Sequence, residues 1–353
     1  IMSLKVNLSL EEFLTEWHND SPTVLVHTSG STGKPKPLLV EKRRMEASAR
    51  VTCHFLGLKE GDTALLCMPL DYIAGKMMVV RALTCGLKLI VEEPSGLPLL
   101  RPHLTSPDLG EEIDFAAMVP LQVWNLLQQA PERLRQIRHL IIGGGAINDE
   151  LAEALKDLPN HIWSTYGMTE TLSHIALRRL NGPDRSDWYT PFEGVDVSLN
   201  EDNCLVINAP AVHDGPLVTN DIAELLPLTS QLSTKQFRIL GRKDNVICSG
   251  GIKIQIEEVE RQLHPHLHEP YMITKAPDTK LGEQVVLLTE SPDIPAVQDI
   301  CRQVLPKYRQ PRQYLHIDRI PLTETGKPAR AEAERLAVVL NPRSVINSQG
   351  TLT

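Results

Sequence analysis

The first half of the chain alternates between short apolar runs and segments with helical spacing of apolar residues. The short apolar or β-branched runs predict strands at residues 23–27, 63–68, 88–91, 114–118, 138–142 and 161–165. Apolar residues three and four positions apart predict helices at 42–56, 73–84, 121–129 and 149–155. Strands that alternate with helices favour a mainly parallel sheet covered by helices. The predicted fold class is therefore α/β.

The pattern of apolar residues changes after residue 187. The next apolar runs are short, are separated by turn residues, and predict strands at 195–199, 204–208, 222–226 and 236–240. Together they predict a smaller, β-rich subdomain of the large domain.

A polar, glycine-marked segment at 241–245 follows this subdomain and predicts a hinge. Beyond it, the pattern predicts helices and strands at 254–263, 271–274, 284–288 and 294–304. About 100 residues are a normal size for an independently packing α+β domain. We therefore predict a large domain at 1–241, a small C-terminal lid domain at 242–340 and a flexible polar tail at 341–353.

The composition narrows the class of protein. The chain of 353 residues has 42% hydrophobic and 23% charged residues, which is typical of a soluble globular protein. A formal net charge of −8 argues against non-specific binding to nucleic acid or membranes, since both need clustered basic charge. No apolar run reaches the roughly 18 residues of a membrane-spanning helix. The six cysteines form no CxxC pair, which favours reduced thiols and a cytoplasmic location.

The strongest local feature is a segment rich in glycine, hydroxyl groups and lysine, directly after the first predicted strand. It consists of Thr28, Ser29, Gly30, Ser31, Thr32, Gly33, Lys34, Pro35 and Lys36. Glycine lets backbone N–H groups approach phosphate oxygens, hydroxyl groups donate hydrogen bonds, and lysine adds positive charge. The spacing differs from a Walker A loop, because Pro35 follows the lysine. The segment predicts a polyphosphate-binding loop, with a plain surface turn as the alternative.

Five further motifs follow this loop in order. They consist of Gly143, Gly144 and Gly145; Tyr166, Gly167, Met168, Thr169 and Glu170; Thr219, Asn220 and Asp221; Gly241, Arg242, Lys243 and Asp244 with Ser249, Gly250, Gly251 and the stretch from Glu257 to Glu260; and residues 321–327, which end at Lys327. With the loop, they resemble the signature sequences of the acyl-adenylate-forming superfamily, which includes acyl-CoA ligases, luciferases and peptide-synthetase adenylation domains. The resemblance covers roughly residues 23–335. Pro37 and Asn220 depart from it, because each replaces a glycine.

The resemblance implies an enzyme that uses ATP, Mg²⁺ and coenzyme A. A substrate carboxylate would attack the α-phosphate of ATP and release pyrophosphate. The coenzyme A thiol would then attack the acyl-adenylate and release AMP. The implied class is an AMP-forming acid–thiol ligase with small-molecule substrates.

The matching positions also imply residue roles. The loop at 28–36, the glycines at 143–145 and Gly167 would contact ATP or AMP. Tyr166 would stack on adenine, and Asp221, helped by Arg242, would accept hydrogen bonds from the ribose hydroxyl groups. The implied catalytic residues are Thr169, Glu170 and Lys327. Glu170 would also hold Mg²⁺, a hard cation that prefers oxygen ligands.

The small domain has implied roles of its own. Lys327 would reach the active site from this domain and contact both the substrate carboxylate and the α-phosphate. Asp244 matches the residue about which the small domain rotates between the two steps. In the second orientation, Ser249, Gly250 and Gly251 would line the tunnel for coenzyme A.

The segment at 68–81 bears on the identity of the acid. Many relatives have a histidine here, whereas this chain has Asp71 and Tyr72. Arg81 lies six residues after Gly75, a spacing that resembles the o-succinylbenzoate–CoA ligases of menaquinone biosynthesis, whose substrate is a dicarboxylate. An arginine would pair with the carboxylate that stays charged. We therefore predict an acyl-substrate site at Tyr72, Gly75, Lys76 and Arg81; solvated positions are the alternative for Lys76 and Arg81.

Other functions stay open at this point. The chain could be a ligase for another aryl or short-chain acid, or an adenylation domain that loads a carrier protein. A non-catalytic nucleotide-binding remnant is an alternative of a different class, because the loop begins at residue 28 and most relatives carry a further N-terminal region. The presence of every motif favours an N-terminally shortened but active ligase. A homodimer that buries the uncovered apolar face is a further expectation.

Overall fold

The computed structural model describes residues 8–27, 37–100, 112–226, 235–323 and 327–340. The predicted phosphate loop at 28–36 and the predicted flexible tail at 341–353 lie outside these described residues. Among the helices that are described, none is long and apolar enough to cross a membrane.

A helix and a hairpin precede the main sheet. In α1 (Leu10–His18), the Ser9 hydroxyl accepts from the Glu12 amide, and the Glu12 carboxylate accepts from the Ser9 amide. This reciprocal capping box satisfies backbone donors at the start of the helix. β1 (Thr23–His27) and β2 (Pro37–Glu41) then pair antiparallel. Residues 28–36 are therefore the connection between the two strands of this hairpin.

The main sheet is built from alternating helices and strands. They are α2 (Lys42–Leu56), β3 (Thr63–Leu66), α3 (Ile73–Cys85), β4 (Lys88–Val91), β5 (Ile113–Met118), α4 (Pro120–Gln129), α5 (Pro131–Arg135), β6 (Ile137–Ile142), α6 (Asp149–Leu155), β7 (His161–Gly167), β8 (His174–Arg179) and β9 (Thr190–Pro191). The strand order is β4-β3-β5-β6-β7-β8-β9. From β4 to β7 the strands are parallel, whereas β8 and β9 run antiparallel. The predicted mainly parallel, helix-covered sheet is confirmed.

Two apolar cores cover the two faces of this sheet. Along β5, Phe115 and Ala117 belong to the core under α2 and α3, whereas Ala116 and Met118 belong to the core under α4 and α6. Successive strand residues point to opposite faces, so a strand covered on both sides is apolar at every position. This explains why the central strands are continuous apolar runs in the sequence.

The β-rich subdomain is a separate antiparallel sheet. Its strands, in spatial order, are β10 (Asp196–Leu199), β11 (Cys204–Asn208), β12 (Pro216–Leu226) and β13 (Gln236–Arg242). β12 begins earlier than predicted, because polar Thr219, Asn220 and Asp221 interrupt its apolar pattern. The β12–β13 register shifts between Ile222 and Ala223, next to those polar residues.

The remaining elements, called the small sheet domain below, form a further, five-stranded sheet with helices. They are β14 (Val246–Ser249), β15 (Ile252–Gln255), α7 (Ile256–Leu263), β16 (Tyr271–Asp278), β17 (Gly282–Thr289), α8 (Ile294–Val304), β18 (Gln313–His316) and α9 (Arg330–Val339). Their buried residues form clusters of their own on the two faces of this sheet. The domain boundary at 241/242 stays a prediction.

The helix predicted at 254–263 is wrong in its first two residues. Gly250 and Gly251 have φ of +59° and +84° and connect β14 to β15 in a two-residue turn. Such a turn needs left-handed backbone at both positions, which glycine adopts without strain. Ile252 is exposed and Ile254 is buried, so this stretch follows the period of a strand. The helix begins only at Ile256.

Candidate active site

The glycine run after β6 lies at the carboxyl ends of the parallel strands. The Gly143 amide donates to the Met118 carbonyl at the end of β5 (3.1 Å). A Cβ atom at Gly143 would lie 2.5 Å from Oγ1 of Thr165 on β7, so glycine allows β6 and β7 to end close together. Ligands of open α/β sheets bind outside the carboxyl ends of the strands. Gly143, Gly144 and Gly145 therefore lie at the edge where a nucleotide is expected.

Two residues that were predicted to bind the nucleotide, Tyr166 and Arg242, both donate hydrogen bonds to the carboxylate of a third, Asp221. The Tyr166 hydroxyl, at the end of β7, donates to Asp221 Oδ2 (2.6 Å). Arg242 Nη1 donates to Asp221 Oδ1 (3.2 Å), and the two residues are Cα partners across β12 and β13. Burial and the neighbouring carboxylate of Asp221 raise the pKa of Tyr166 far above its ordinary value. Tyr166 therefore remains a neutral donor that orients Asp221.

Replacing Tyr166 with phenylalanine is expected to raise the KM for ATP about 10-fold with little change in kcat. The variant keeps the ring contact with Phe237 (centroids 5.0 Å apart) but removes the hydroxyl bond to Asp221, and a bond to a charged group contributes roughly 1.5–3 kcal/mol. The measurement is the rate of AMP release as a function of ATP concentration. Tyr189→Phe is the matched control, because Tyr189 stacks on the same Phe237 but its hydroxyl contacts Ser164. Equal changes in both variants would contradict a role for the Tyr166 hydroxyl.

A tight turn after β7 carries Thr169 and Glu170. A Cβ atom at Gly167 would collide with the backbone of Ser173, so only glycine allows the chain to fold back here. The turn is a single 3₁₀ turn at Thr169–Thr171, followed by Leu172 at φ +65°. Thr169 is buried, whereas the Glu170 side chain is exposed. Glu170 thus presents carboxylate oxygens, the ligand type that Mg²⁺ prefers, at the surface, and its role as a metal ligand stays a prediction.

The backbone of Lys327 is hydrogen-bonded to Thr323. The Lys327 amide donates to Thr323 Oγ1 (3.0 Å), and the Thr323 amide donates to the Lys327 carbonyl (2.7 Å). Burial lowers the pKa of Lys327, and the guanidinium of Arg242 lowers it further. Lys327 is therefore close enough to Arg242 to feel its charge. Two neighbouring cations make the local potential positive, which favours the binding of an anion.

An ion pair that the sequence did not indicate anchors the start of α9, just after Lys327. Arg330 forms a bidentate ion pair with Glu260 on α7, with both N···O distances 2.6 Å, and also donates to the Ile273 carbonyl (3.0 Å). A two-bond geometry of this kind holds the arginine in one orientation. Because Arg330 follows Lys327 by three residues, the pair fixes the start of α9 close behind the lysine. The position of an arginine so soon after the lysine motif was the available signal.

Side chains of β12 and β13 hold the predicted hinge carboxylate. Arg242 Nη2 donates to Asp244 (2.9 Å), and the Asn220 amide group lies 3.2 Å from the same carboxylate. A glycine at position 220 would lack this contact. The hinge role of Asp244 and the coenzyme A contacts of Ser249, Gly250 and Gly251 stay predictions.

Arg81 is buried beneath the turn that carries Glu170. The residue is 2% exposed, and its Nη2 donates to Ser173 Oγ (2.7 Å). It lies over the Phe115 ring at 6.0 Å from the centroid. Nε has no hydrogen-bond partner, and no carboxylate of the described residues forms an ion pair with Arg81. Burial lowers the pKa of Arg81 to about 10, so the group is still charged at neutral pH. The alternative of a solvated Arg81 is wrong.

The structure does not bring Lys76 to Arg81. Five residues along α3 turn the side chain by about 140° around the helix axis. Lys76 Nζ instead donates to the Leu25 carbonyl of β1 (2.5 Å) and lies 3.7 Å from the Glu16 carboxylate of α1. Lys76 is therefore neither solvated nor next to Arg81, because it ties α3 to the strand that leads into residues 28–36. We leave it out of the proposed acid site.

Gly75 and Tyr72 lie at the start of α3. A Cβ atom at Gly75 would collide with the Pro69 carbonyl, so glycine is required for the close approach of helix and loop. Tyr72 is the residue directly before the helix and is half-buried. Gly75 therefore has a packing role whatever the acid is, and a contact of Tyr72 with the acid stays a prediction.

Fold and site together define a nucleotide-binding α/β enzyme with its charged residues at the carboxyl edge of the sheet. Residues 5–209 match the AMP-binding enzyme family. This chain belongs to that family, and its class is that of the AMP-forming ligases.

Several relatives are similar over most of the chain. It is 26% identical to the 2-succinylbenzoate–CoA ligase of Salmonella typhimurium, with 89% of this chain and 69% of the relative covered. Among solved structures, an acyl-CoA synthetase (AMP-forming)/AMP-acid ligase II-like protein from Dyadobacter fermentans is 31% identical (TM-score 0.59), with 91% of this chain and 92% of that chain covered. The O-succinylbenzoate coenzyme A synthetase of Bacillus subtilis, in complex with ATP and magnesium ion, is 24% identical (TM-score 0.70), with 87% and 69% covered. The last similarity concerns the fold alone.

Proposed function

We propose that this chain is an ATP-dependent ligase that joins o-succinylbenzoate to coenzyme A. The observation that carries the choice of acid is Arg81, a buried guanidinium with an unpaired Nε and no carboxylate partner among the described residues. The relatives named 2-succinylbenzoate–CoA ligase support the same acid.

A buried cation without a counterion lowers the stability of the fold, unless a bound anion offsets the cost of removing its charge from water. Removing a charge from water costs several kcal/mol, and attraction to an opposite charge offsets that cost. A substrate carboxylate would accept from the free Nε–H and neutralise the guanidinium. In o-succinylbenzoate, the succinyl carboxylate is the one activated, so the carboxylate on the ring remains charged. A monocarboxylic acid has no second anion to offer Arg81.

The first step would form the acyl-adenylate. A carboxylate oxygen attacks the α-phosphorus of ATP, the bond to the β-phosphate oxygen breaks, and pyrophosphate leaves. Lys327 would offset the negative charge of the two reacting anions, which otherwise repel each other. Tyr166, Asp221 and Arg242 would hold the nucleoside. We assign the polyphosphate to the loop at 28–36. Mg²⁺, if bound through Glu170, would supply further neutralisation of phosphate charge.

The second step would transfer the acyl group to sulfur. The thiol of coenzyme A loses its proton and attacks the acyl carbon, and the bond from that carbon to the AMP oxygen breaks. Ser249, Gly250 and Gly251 are proposed to contact the pantetheine arm, with Asp244 as the pivot. The hairpin turn at Gly250 and Gly251 has no side chain beyond hydrogen, so a ligand can approach its backbone closely.

A coupled assay of AMP release across a panel of acids tests this function. We expect the highest kcat/KM with o-succinylbenzoate, a requirement for coenzyme A, and at least 10-fold lower kcat/KM with 4-oxo-4-phenylbutanoate, which lacks only the ring carboxylate; a lost charged contact accounts for such a factor. Higher kcat/KM with another acid would contradict the assigned substrate. If a holo carrier protein replaced coenzyme A as the better acceptor, the assigned acceptor would be wrong. If no acid supported pyrophosphate–ATP exchange, the proposal that this chain catalyses acyl-adenylate formation would be wrong.

A further inference from the structure

The half-buried side chain of Ser173 and the buried side chains of His174 and Thr52 support Arg81. Arg81 Nη2 lies 2.7 Å from Ser173 Oγ, Ser173 Oγ lies 3.1 Å from His174 Nδ1, and His174 Nε2 lies 3.1 Å from Thr52 Oγ1. Thr52 Oγ1 in turn donates to the Ser48 carbonyl (3.1 Å). Ser173, His174 and Thr52, called the Arg81 network below, link α3, the start of β8 and α2. His174 and Thr52 are buried, so water does not take the place of a missing partner.

The two ends of the Arg81 network determine where every proton lies. A guanidinium can only donate, so Ser173 Oγ accepts from Arg81. Thr52 has one hydroxyl proton and gives it to the Ser48 carbonyl, so Thr52 Oγ1 accepts from His174. A neutral histidine has one N–H, which must then be on Nε2.

Nδ1 of His174 is consequently an acceptor, and the hydroxyl group of Ser173 donates a hydrogen bond to it. Burial and the charge of Arg81 hold the pKa of His174 well below its ordinary value, so the ring is neutral at physiological pH. With a neutral ring, every hydrogen bond of the Arg81 network has a donor and an acceptor. Arg81 is thus oriented entirely by neutral groups.

The charge of Arg81 is therefore left intact. The thiol of Cys53 is an electrostatic neighbour of the guanidinium, but burial raises the pKa of this thiol, so it is neutral as well. A carboxylate at position 173 would orient Arg81 equally well but would neutralise it. The serine supplies orientation without a competing anion.

We propose that Ser173, His174 and Thr52 are positioning residues that hold Arg81 as a charged, oriented donor for a carboxylate of the acid substrate. This inference rests on the proposed function, because it concerns the second carboxylate of the acid. It extends that function from one arginine to a network on three elements.

The test compares two acids that differ by one carboxylate, o-succinylbenzoate and 4-oxo-4-phenylbutanoate. Thr52→Val removes the hydroxyl at the far end of the network and is expected to raise the KM for o-succinylbenzoate about 3- to 10-fold, the effect of one neutral hydrogen bond. The KM for 4-oxo-4-phenylbutanoate and both kcat values should not change. Ser173→Asp places an anion against Arg81 and should remove the preference for o-succinylbenzoate altogether. The matched control is Thr289→Val, which removes a buried hydroxyl in the small sheet domain and should leave the preference intact.

A second measurement tests the network without any substrate. Long-range ¹H–¹⁵N spectra of the ¹⁵N-histidine-labelled protein should show His174 as the neutral Nε2–H tautomer, assigned by its absence in His174→Gln. In Thr52→Val, the resonances should move towards a mixture of tautomers, because Nε2–H has lost its acceptor. A charged ring or an Nδ1–H tautomer in the unaltered protein would overturn the network.

The possible results distinguish failure of the positioning role from failure of the proposed ligase function. If the unaltered protein treats the two acids alike, the proposed function fails, and the positioning role fails with it. If the unaltered protein prefers the dicarboxylate and Arg81→Met loses that preference, the function stands. In that case, unchanged preference in both Thr52→Val and Ser173→Asp would overturn the positioning role alone. An equal rise in KM for both acids would also overturn it, because it would reveal a purely structural network.

Discussion

Replacing Lys327 with alanine is expected to lower the rate of acyl-adenylate formation about 100- to 1000-fold, a typical loss for one group that stabilises charge in a transition state. The lysine lies in a segment fixed by Thr323 and by the Arg330–Glu260 pair, and it is near enough to Arg242 for that charge to lower its pKa. It therefore reaches the side of the site where Asp221 lies. The measurement is acid-dependent pyrophosphate–ATP exchange.

The same variant should keep the second half-reaction. Thioester formation from a supplied acyl-adenylate needs no attack on phosphorus, so its rate should change little. Lys275→Ala is the control, because Lys275 is another lysine of the small sheet domain but forms an ion pair with Glu283 (2.9 Å). That pair is partly exposed, and loss of such a pair has a small effect. Equal loss in both half-reactions of Lys327→Ala would argue for a role in folding instead.

Replacing Arg81 with methionine is expected to raise the KM for o-succinylbenzoate roughly 30- to 100-fold, as for a lost charged hydrogen bond. The KM for 4-oxo-4-phenylbutanoate should stay within about 3-fold of its original value, a much smaller change than the one expected for o-succinylbenzoate. The same variant should also raise the Tm of the ligand-free protein. A buried charge without an ion-pair partner destabilises the fold, and methionine fills a similar volume without charge. Steady-state kinetics with both acids and thermal denaturation without ligand are the measurements.

Lys76→Met is the matched control on the same helix. Lys76 is buried like Arg81, but its ammonium group donates a hydrogen bond to the Leu25 carbonyl and forms an ion pair with the Glu16 carboxylate. Removal of a partnered buried charge leaves its partners unsatisfied, so Tm should fall. The ratio of KM values for the two acids should not move. A fall in Tm for Arg81→Met, or an equal rise of both its KM values, would contradict an acid-binding role.

Local pattern was sufficient for most of the large domain. The helices at Lys42–Leu56 and Asp149–Leu155 and the strands of the parallel sheet were predicted to within a few residues, because apolar periodicity is set by neighbours along the chain. The misses have different causes. β8 pairs with β7 only because Gly167 allows the turn to fold back. The β14–β15 hairpin depends on the Gly250–Gly251 turn. The prediction of a helix that starts at Ile254 did not take this turn into account.

The motif residues show the same division. Tyr166, Asp221 and Arg242 were predicted as a group, and they meet, because each follows a recognisable pattern in the sequence. Arg330, Ser173, His174 and Thr52 carry no such pattern, and the motif that contains Glu260 gave no sign of its pairing with Arg330. They are polar residues whose partners lie far away along the chain, up to 122 positions for Thr52 and His174.

The residues predicted to bind the acid show most clearly what the sequence determines and what only folding decides. From the sequence alone, Lys76 and Arg81 are two cations on one predicted helix next to a glycine, and both were assigned to the acid. The tertiary structure separates them, because α1 and β1 supply an anion and a carbonyl to Lys76, whereas the partners of Arg81 among the described residues are all neutral. The sequence by itself determined the α/β class and the nucleotide motifs, since both depend on local order. Which buried charge remains available to a ligand depends on the groups that folding brings around it, and only the tertiary structure decided that.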